Sequence, residues 1–94
     1  EEFVVVLPET PQRVAEGVAE RLRAVVAEAP MALGASGGEV VITVSIGLAV
    51  PATAQETTNS LLHRADEALY AAKAAGRNRV VSYPDIAVPA NAVA

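Results

Sequence analysis

Two adjacent carboxylates, Glu1 and Glu2, stand directly before an apolar run at residues 3–7. This run is short, continuous and rich in β-branched residues, so it predicts a buried strand over residues 2–7 that Pro8 closes. Carboxylate oxygens at the start of a strand suit a hard divalent cation, or a phosphate-bearing substrate that carries one. A chain start is also an ordinary place for solvated charges, and this alternative needs no ligand.

A second polar group belongs to the last predicted helix. Asp66, Tyr70, Lys73 and Arg77 are spaced i, i+4, i+7 and i+11, which predicts one narrow stripe beside the apolar face. Two cations share the C-terminal end of this stripe. Basic residues are also favoured there by the negative end of the helix dipole, so a solvated stripe without a ligand explains the same spacing.

Composition limits the classes of protein that these residues can serve. The 94 residues are 52% hydrophobic but only 3% aromatic, which predicts a single domain whose core is built from small aliphatic side chains. A net charge of −4 argues against nucleic acid as a partner. The chain has no Cys and one His, so any metal must be held by oxygen ligands.

Nothing in the sequence predicts a membrane contact or an export signal. No uninterrupted apolar stretch is long enough to cross a bilayer, and the first residues are acidic rather than basic. We therefore expect a cytoplasmic location.

The first predicted helix follows the first strand. Thr10 is a suitable N-cap and Pro11 suits the first helical position, and the helix should run towards Pro30. Its predicted inner face carries Val14, Val18, Leu22 and Val25. Its predicted outer, charged face carries Arg13, Glu16, Glu20, Arg21 and Arg23.

The remaining elements alternate between loop, strand and helix. A glycine-containing loop with a tight reversal is predicted at residues 31–39, before a strand at residues 40–50. Gly47 within that strand indicates a bulge or the close approach of another backbone. Thr57, Thr58 or Asn59 can cap the last helix, which should end at Gly76. The apolar side of this helix is formed by Leu61, Ala65, Ala68, Leu69 and Ala72.

A short edge strand at residues 80–83 and a loosely held tail at residues 84–94 complete the chain. The order strand, helix, strand, helix, strand predicts an α+β fold in which the helices pack on one sheet. Residues 37–40, which read Gly-Gly-Glu-Val, are interpreted as a turn.

Four segments together resemble the GGDEF domain, the catalytic domain of bacterial diguanylate cyclases. The start of the chain is similar to the end of the family's Gly-Gly-Asp/Glu-Glu-Phe motif and the strand after it. The closing helix matches the family wording over residues 65–78, which read Ala-Asp-Glu-Ala-Leu-Tyr-Ala-Ala-Lys-Ala-Ala-Gly-Arg-Asn. Residues 19–23 and 43–47 add two further matching segments in the right order, so the resemblance covers residues 1–83.

The resemblance implies a reaction in which two GTP molecules condense to cyclic di-GMP, each bound by one domain of a homodimer. Glu1 would ligate Mg²⁺ (or Mn²⁺), and Glu2 would assist at the metal or at the attacking 3′-hydroxyl. Lys73 and Arg77 would hold the terminal phosphates, a task that suits the forked donors of Arg and the point charge of Lys. Arg21 matches a secondary contact of the family's inhibitory product site.

The resemblance also implies that part of the family fold is absent. The two motif glycines, the first strand with its metal-binding Asp, the early helices that read guanine and the primary product-binding element all precede residue 1 in the family. We therefore expect a truncated GGDEF domain over residues 1–83, a partial ferredoxin-like or nucleotidyl-cyclase-like sandwich on a mainly antiparallel sheet. Its strands should present unpaired edges, and a strand-exchanged dimer is one way to cover them.

Two further functions fit the same residues. A degenerate GGDEF domain would act as a nucleotide-sensing or protein-interaction module rather than as an enzyme. A general α+β interaction domain without a nucleotide would require these matching segments to be chance.

Overall fold

A computed structural model describes residues 2–35 and 37–83 of the chain. Glu1 and the predicted tail at residues 84–94 lie outside the described residues. The two helices are α1 (Gln12–Glu28) and α2 (Thr58–Ala74). The four strands are β1 (Met31–Ala32), β2 (Glu39–Val40), β3 (Ile46–Leu48) and β4 (Val80–Ser82). The predicted α+β class is confirmed.

The centre of the fold is a β–α–β unit formed by β3, α2 and β4. β3 and β4 pair in parallel, with Ile46 opposite Val80 and Leu48 opposite Ser82. Parallel neighbours require a crossover connection, and α2 provides it. The helix packs on the strand pair through Ala68 and Ala72, which are both 0% exposed. The predicted apolar side of the last helix is therefore the buried side.

Gly47 allows α2 to approach β3 closely. A Cβ at this position would lie 2.2 Å from the backbone N of Leu69 and 2.3 Å from the carbonyl O of Ala65. These distances are far below van der Waals contact, so only glycine fits without moving the helix. The close backbone approach indicated by a glycine within a strand is confirmed.

The N-cap of α2 is the first of the three predicted candidates. The hydroxyl of Thr57 accepts a hydrogen bond from the backbone N–H of Ser60 at 3.1 Å. For α1 the predicted cap is wrong. Pro11 occupies the cap position without a side-chain bond, while the Thr10 hydroxyl donates to the carbonyl of Pro8 at 3.0 Å.

The strand predicted at residues 2–7 is not formed. These residues have no regular secondary structure, and Phe3 and Val6 are 86% and 76% exposed. A strand is stable only when a neighbour satisfies its N–H and C=O groups, and no described strand pairs with this segment. The apolar run is thus present in the sequence, but its partner is not among the described residues.

The strand predicted at residues 40–50 is divided into two short pieces. β2 pairs in antiparallel fashion with β1, with Met31 opposite Val40, whereas β3 pairs with β4. Residues 41–45 between them have no strand partner among the described segments. The reversal predicted at residues 31–39 is a hairpin in which Gly34 and Gly38 have φ of 93° and 75°.

The buried face of α1 differs from the predicted one, although Arg13, Glu20 and Arg21 are exposed as predicted. Ala15 and Ala19 are buried, at 4% exposed, whereas Val14 and Val25 are 55% and 57% exposed. Glu16, predicted on the outer face, accepts a 2.6 Å hydrogen bond from the hydroxyl of Ser82 in β4. The small alanine side allows α1 to lie close to the β3–β4 pair, so the valine stripe is turned away from it.

Candidate functional site

The C-terminal end of α2 forms a compact helix cap. Gly76 has φ of 126°, a conformation that side chains rarely adopt, and its N–H donates to the carbonyl of Lys73 at 3.3 Å. The N–H of Arg77 donates to the carbonyl of Ala72 at 2.9 Å. This pair of bonds is the Schellman arrangement. The helix therefore stops where Gly76 predicted, and the residues after it turn sharply.

Lys73 and Glu2 meet at this end of the helix. The Lys73 ammonium Nζ lies 3.5 Å from the Glu2 carboxylate Oε2, although the two residues are 71 positions apart. Their side chains are 41% and 60% exposed, so water screens the pair and its contribution to stability is small. Glu2 and Lys73, both predicted site residues, thus lie on one accessible surface, where each can release the other to contact a ligand.

Arg77 follows the end of α2 and is not part of the helix. The predicted four-residue stripe is correct for Asp66, Tyr70 and Lys73, which are exposed residues of α2. The prediction is wrong for Arg77, because α2 ends at Ala74 and Arg77 follows in the left-handed region with φ of 64°. The helix cap, rather than helical spacing, therefore determines where this guanidinium is presented.

Asn78 continues the left-handed turn and connects it to two other elements. Its φ is 49°, and its N–H donates to the hydroxyl of Ser45 at 3.2 Å. Its side-chain oxygen Oδ1 accepts a 2.8 Å hydrogen bond from Nη1 of Arg23 in α1. Sequence reasoning gave Asn78 no role, although an Asn after a glycine cap is a known signal for a left-handed residue.

Arg23 is itself held by a carboxylate one turn earlier in α1. Its Nε donates to both carboxylate oxygens of Glu20 at 3.0 Å. These bonds lower the pKa of Glu20 and raise the pKa of Arg23 from their usual values. Part of the predicted charged face of α1 therefore forms hydrogen bonds to the turn after α2, through Arg23.

A second polar cluster lies at the opposite end of α2, about 25 Å away by helix geometry. Glu56 accepts hydrogen bonds from the N–H of Ala52 and the hydroxyl of Ser60, both at 2.8 Å, and forms an ion pair with Arg64. The bonds from Arg64, Ala52 and Ser60 lower the Glu56 pKa to about 2. The cluster anchors the start of α2, and the sequence analysis did not find it.

Two predicted site residues have no described place in this arrangement. Glu1 lies outside the described residues, and Arg21 is an exposed residue of α1. Nothing in the described geometry assigns Arg21 to a product site, so that role stays a prediction.

The described residues do not by themselves form a metal site. Within residues 2–35 and 37–83 there is no cluster of three or more His, Asp or Glu side chains that could hold an ion. Glu2 offers one pair of hard oxygen ligands, which suits Mg²⁺ but does not complete its coordination. In the same part of the chain, no helix is long and apolar enough to cross a membrane.

Taken together, the fold and the site define an α+β domain with an exposed carboxylate, a lysine and an arginine near the C-terminal end of its last helix. The family profile described as "Diguanylate cyclase, GGDEF domain" matches residues 1–79. The chain therefore belongs to the GGDEF domain family.

Several curated proteins are similar to this chain over most of its length. The response regulator PleD of Caulobacter vibrioides is 46% identical over 82 residues, which is 86% of this chain and 18% of that protein. Diguanylate cyclase DgcM of Escherichia coli is 43% identical over 82 residues, which is 87% of this chain and 18% of DgcM. The chain thus spans about a fifth of the length of these relatives.

A solved structure has the same fold. The GGDEF domain of DgcB from Caulobacter crescentus, in complex with c-di-GMP, superposes with a TM-score of 0.73 at 32% identity. The match covers 81% of this chain and 43% of the DgcB chain. The predicted family and fold class are both confirmed by these comparisons.

Proposed function

We propose that residues 1–83 supply the carboxylate and phosphate-binding edge of a diguanylate cyclase domain. The observation that carries the proposal is the contact between Lys73 and Glu2, 3.5 Å apart, which joins the end of the GGDEF motif to the closing helix. In the reaction, the 3′-hydroxyl oxygen of one GTP attacks the α-phosphorus of another and pyrophosphate leaves. A second, equivalent attack closes cyclic di-GMP, so two domains with one GTP each form a homodimer.

Each charged residue has a role that follows from its chemistry. When GTP binds, Lys73 gives up its weak, solvent-exposed contact with Glu2 and contacts the phosphates instead. Several negatively charged phosphate oxygens attract its ammonium group more strongly than one carboxylate does. Arg77, exposed at the helix cap, adds forked donors to the same phosphates. Glu2 is then free to accept a hydrogen bond from the attacking hydroxyl.

The metal part of the proposal depends on Glu1. A divalent metal such as Mg²⁺ or Mn²⁺ would neutralise charge on the phosphates when bound. Glu1 would contribute one ligand, together with ligands from the part of the family domain that this chain does not span. Cytoplasmic location stays a prediction, and the use of GTP as substrate supports it.

The test uses the 94-residue chain and a complete domain in which residues 1–83 are joined to the N-terminal part of the DgcB GGDEF domain. With GTP and Mg²⁺, we expect cyclic di-GMP from the complete domain and none from the chain alone. Lys73→Ala and Glu1→Ala in the complete domain should each lower turnover by about a hundredfold or more.

Arg13→Ala provides the matched control, because it removes an exposed cation of α1 that has no proposed role. Near-normal turnover in Lys73→Ala and Glu1→Ala would contradict the assigned roles. Product formation by the lone chain would contradict the need for the rest of the domain. Binding of GTP by the complete domain without turnover would favour the nucleotide-sensing alternative.

A further inference from the structure

Asn78 is the point at which three of the four segments that resemble the family come together. It follows the closing helix, its N–H donates to Ser45 before β3, and its Oδ1 accepts from Arg23 in α1. Ser45 and Arg23 belong to two of the other matching segments, residues 43–47 and 19–23. One side chain and its backbone N–H therefore tie the turn after α2 to two different elements.

The turn that Asn78 occupies is unfavourable for the residue before it. Arg77 has φ of 64°, and long side chains avoid this left-handed region. Asn tolerates it better, because its short polar side chain forms local hydrogen bonds. Arg77 is an exposed residue, so a conformation of this kind persists only when its neighbours determine it.

The neighbours of Arg77 hold it on both sides. On the helix side, its own N–H donates to the carbonyl of Ala72 at 2.9 Å. On the other side, Asn78 is fixed by Ser45 and by Arg23, and Arg23 is fixed in turn by Glu20. The backbone of Arg77 is thus clamped between the cap of α2 and the Asn78 contacts.

We propose that Asn78 is a positioning residue that holds Arg77 in the left-handed conformation from which its guanidinium meets the phosphates of GTP. The inference rests on the proposed function, because it assigns Asn78 a role through the proposed phosphate ligand Arg77. Arg23 and Ser45 are the supports through which α1 and the start of β3 fix the direction of that ligand.

The first experiment measures conformation without a nucleotide. In the complete domain, the three-bond coupling between the amide and α protons of Arg77 reports its φ. We expect Asn78→Ala to move this coupling from its left-handed value towards the value of ordinary helical or extended backbone. Asn78→Asp should retain the wild-type coupling, because a carboxylate oxygen can still accept from Arg23.

The second experiment measures binding of 3′-deoxy-GTP with Mg²⁺, a ligand that lacks the attacking hydroxyl and cannot turn over. We expect Asn78→Ala to weaken binding about tenfold, as expected for a lost charge-assisted phosphate contact. Asn78→Asp should bind within about threefold of the wild type, and the matched control Asn59→Ala should bind as the wild type does.

A double-mutant cycle separates positioning from general stabilisation. If Asn78 acts through Arg77, then Asn78→Ala should cause no further loss of affinity in a domain that already carries Arg77→Ala. An equal loss in both backgrounds would show a merely structural role and overturn the inference. A left-handed Arg77 coupling in Asn78→Ala would also overturn it.

Failure of the proposed function has a different signature. A wild-type complete domain that is folded but does not bind 3′-deoxy-GTP would contradict the proposed function and, with it, the phosphate role of Arg77. The coupling measurement would still decide whether Asn78 sets the conformation of Arg77, since that measurement needs no ligand.

Discussion

At the residue scale, Arg64 and Glu56 show how one ion pair connects several segments. Arg64 donates to the carboxylate of Glu56 and to the carbonyl of Val50 at 2.6 Å, and its guanidinium lies 5.1 Å from the ring centre of Tyr83. The side chains of Arg64 and Glu56 are only 17% and 8% exposed. The pair therefore joins the end of the β3 segment, the start of α2 and the end of β4.

The Glu56 carboxylate predicts a loss of stability in acid. Its pKa is about 2 in the folded chain against a usual value of 4.5, so the folded state favours the ionised form. Its contribution is complete above pH 4.5 and declines as the pH falls from 4.5 towards 2. We expect Glu56→Gln to lower the free energy of unfolding at neutral pH and to flatten its decrease over that range, measured by urea denaturation at several pH values.

The flattening should be partial, because Glu16 and Glu20 also have lowered pKa values and titrate in the same direction. Glu39→Gln, which removes one negative charge from an exposed position in β2, is the matched control for the change in net charge. An unchanged pH dependence in Glu56→Gln would show that the Arg64 pair does not form in solution.

At the element scale, two glycines that lie inside regular elements have different structural roles. Gly47 lies in β3 beneath α2, where a Cβ would meet backbone atoms of Leu69 and Ala65. Gly17 lies in α1, where a Cβ would meet nothing within 4 Å. The first glycine is required by packing between elements, whereas the second only weakens its own helix.

Substitution of the two glycines should therefore change stability in opposite directions. Gly47→Ala should destabilise the fold by about 1–3 kcal/mol, because the helix must move to admit one methyl group. Gly17→Ala should stabilise it by about 0.5–1 kcal/mol, since alanine favours the helix and meets open space. Urea denaturation of the complete domain measures both values.

The two variants act as controls for each other, because each adds the same methyl group. Destabilisation by Gly17→Ala would show that the exposed side of α1 is covered in solution. A neutral Gly47→Ala would contradict the close approach of α2 to β3.

At the scale of the whole molecule, little of the apolar sequence is covered. Among the described residues, the buried hydrophobic side chains are those of Ala15, Ala19, Ala68 and Ala72. Larger apolar side chains are exposed at residues 3–7 and 40–42. Contiguous exposed apolar surface of this kind favours association.

The lone chain is therefore expected to self-associate, with a sedimentation coefficient that rises with protein concentration. Val5, which is 66% exposed, lies in the middle of the apolar run. Val5→Lys should weaken self-association, because it places a charge in the contacting surface. Ala54→Lys adds the same charge in an exposed loop and should leave association unchanged.

In the complete domain, Val5→Lys should destabilise the fold. We expect residues 3–7 to pair with the rest of that domain, so a lysine buried at position 5 should lower the melting temperature. A strictly monomeric wild-type chain at all concentrations would contradict the expected association. An unchanged melting temperature in the complete domain would show that residues 3–7 are not covered by the rest of the fold.

Local sequence predicted those features that depend on one segment alone. The spacing of Ala65, Ala68 and Ala72 predicts the buried side of α2, and Thr57 and Gly76 predict its two ends. Gly47, a glycine within a predicted strand, indicates the close approach of another backbone. Residues 65–78 match the family motif. Each of these signals arises from periodicity or backbone conformation, which neighbouring residues determine.

Only the tertiary structure decided which surfaces meet. α1 carries both an alanine side and a valine stripe, and the approach of β3 and β4 selects the alanine side. The apolar run at residues 3–7 has the sequence of a strand but lacks a described partner, since hydrogen-bond pairing is not a local property. Likewise, the sequence does not predict that Arg23 and Ser45 both contact Asn78. They converge because the left-handed turn after α2 brings Asn78 to a place where α1 and β3 both reach it.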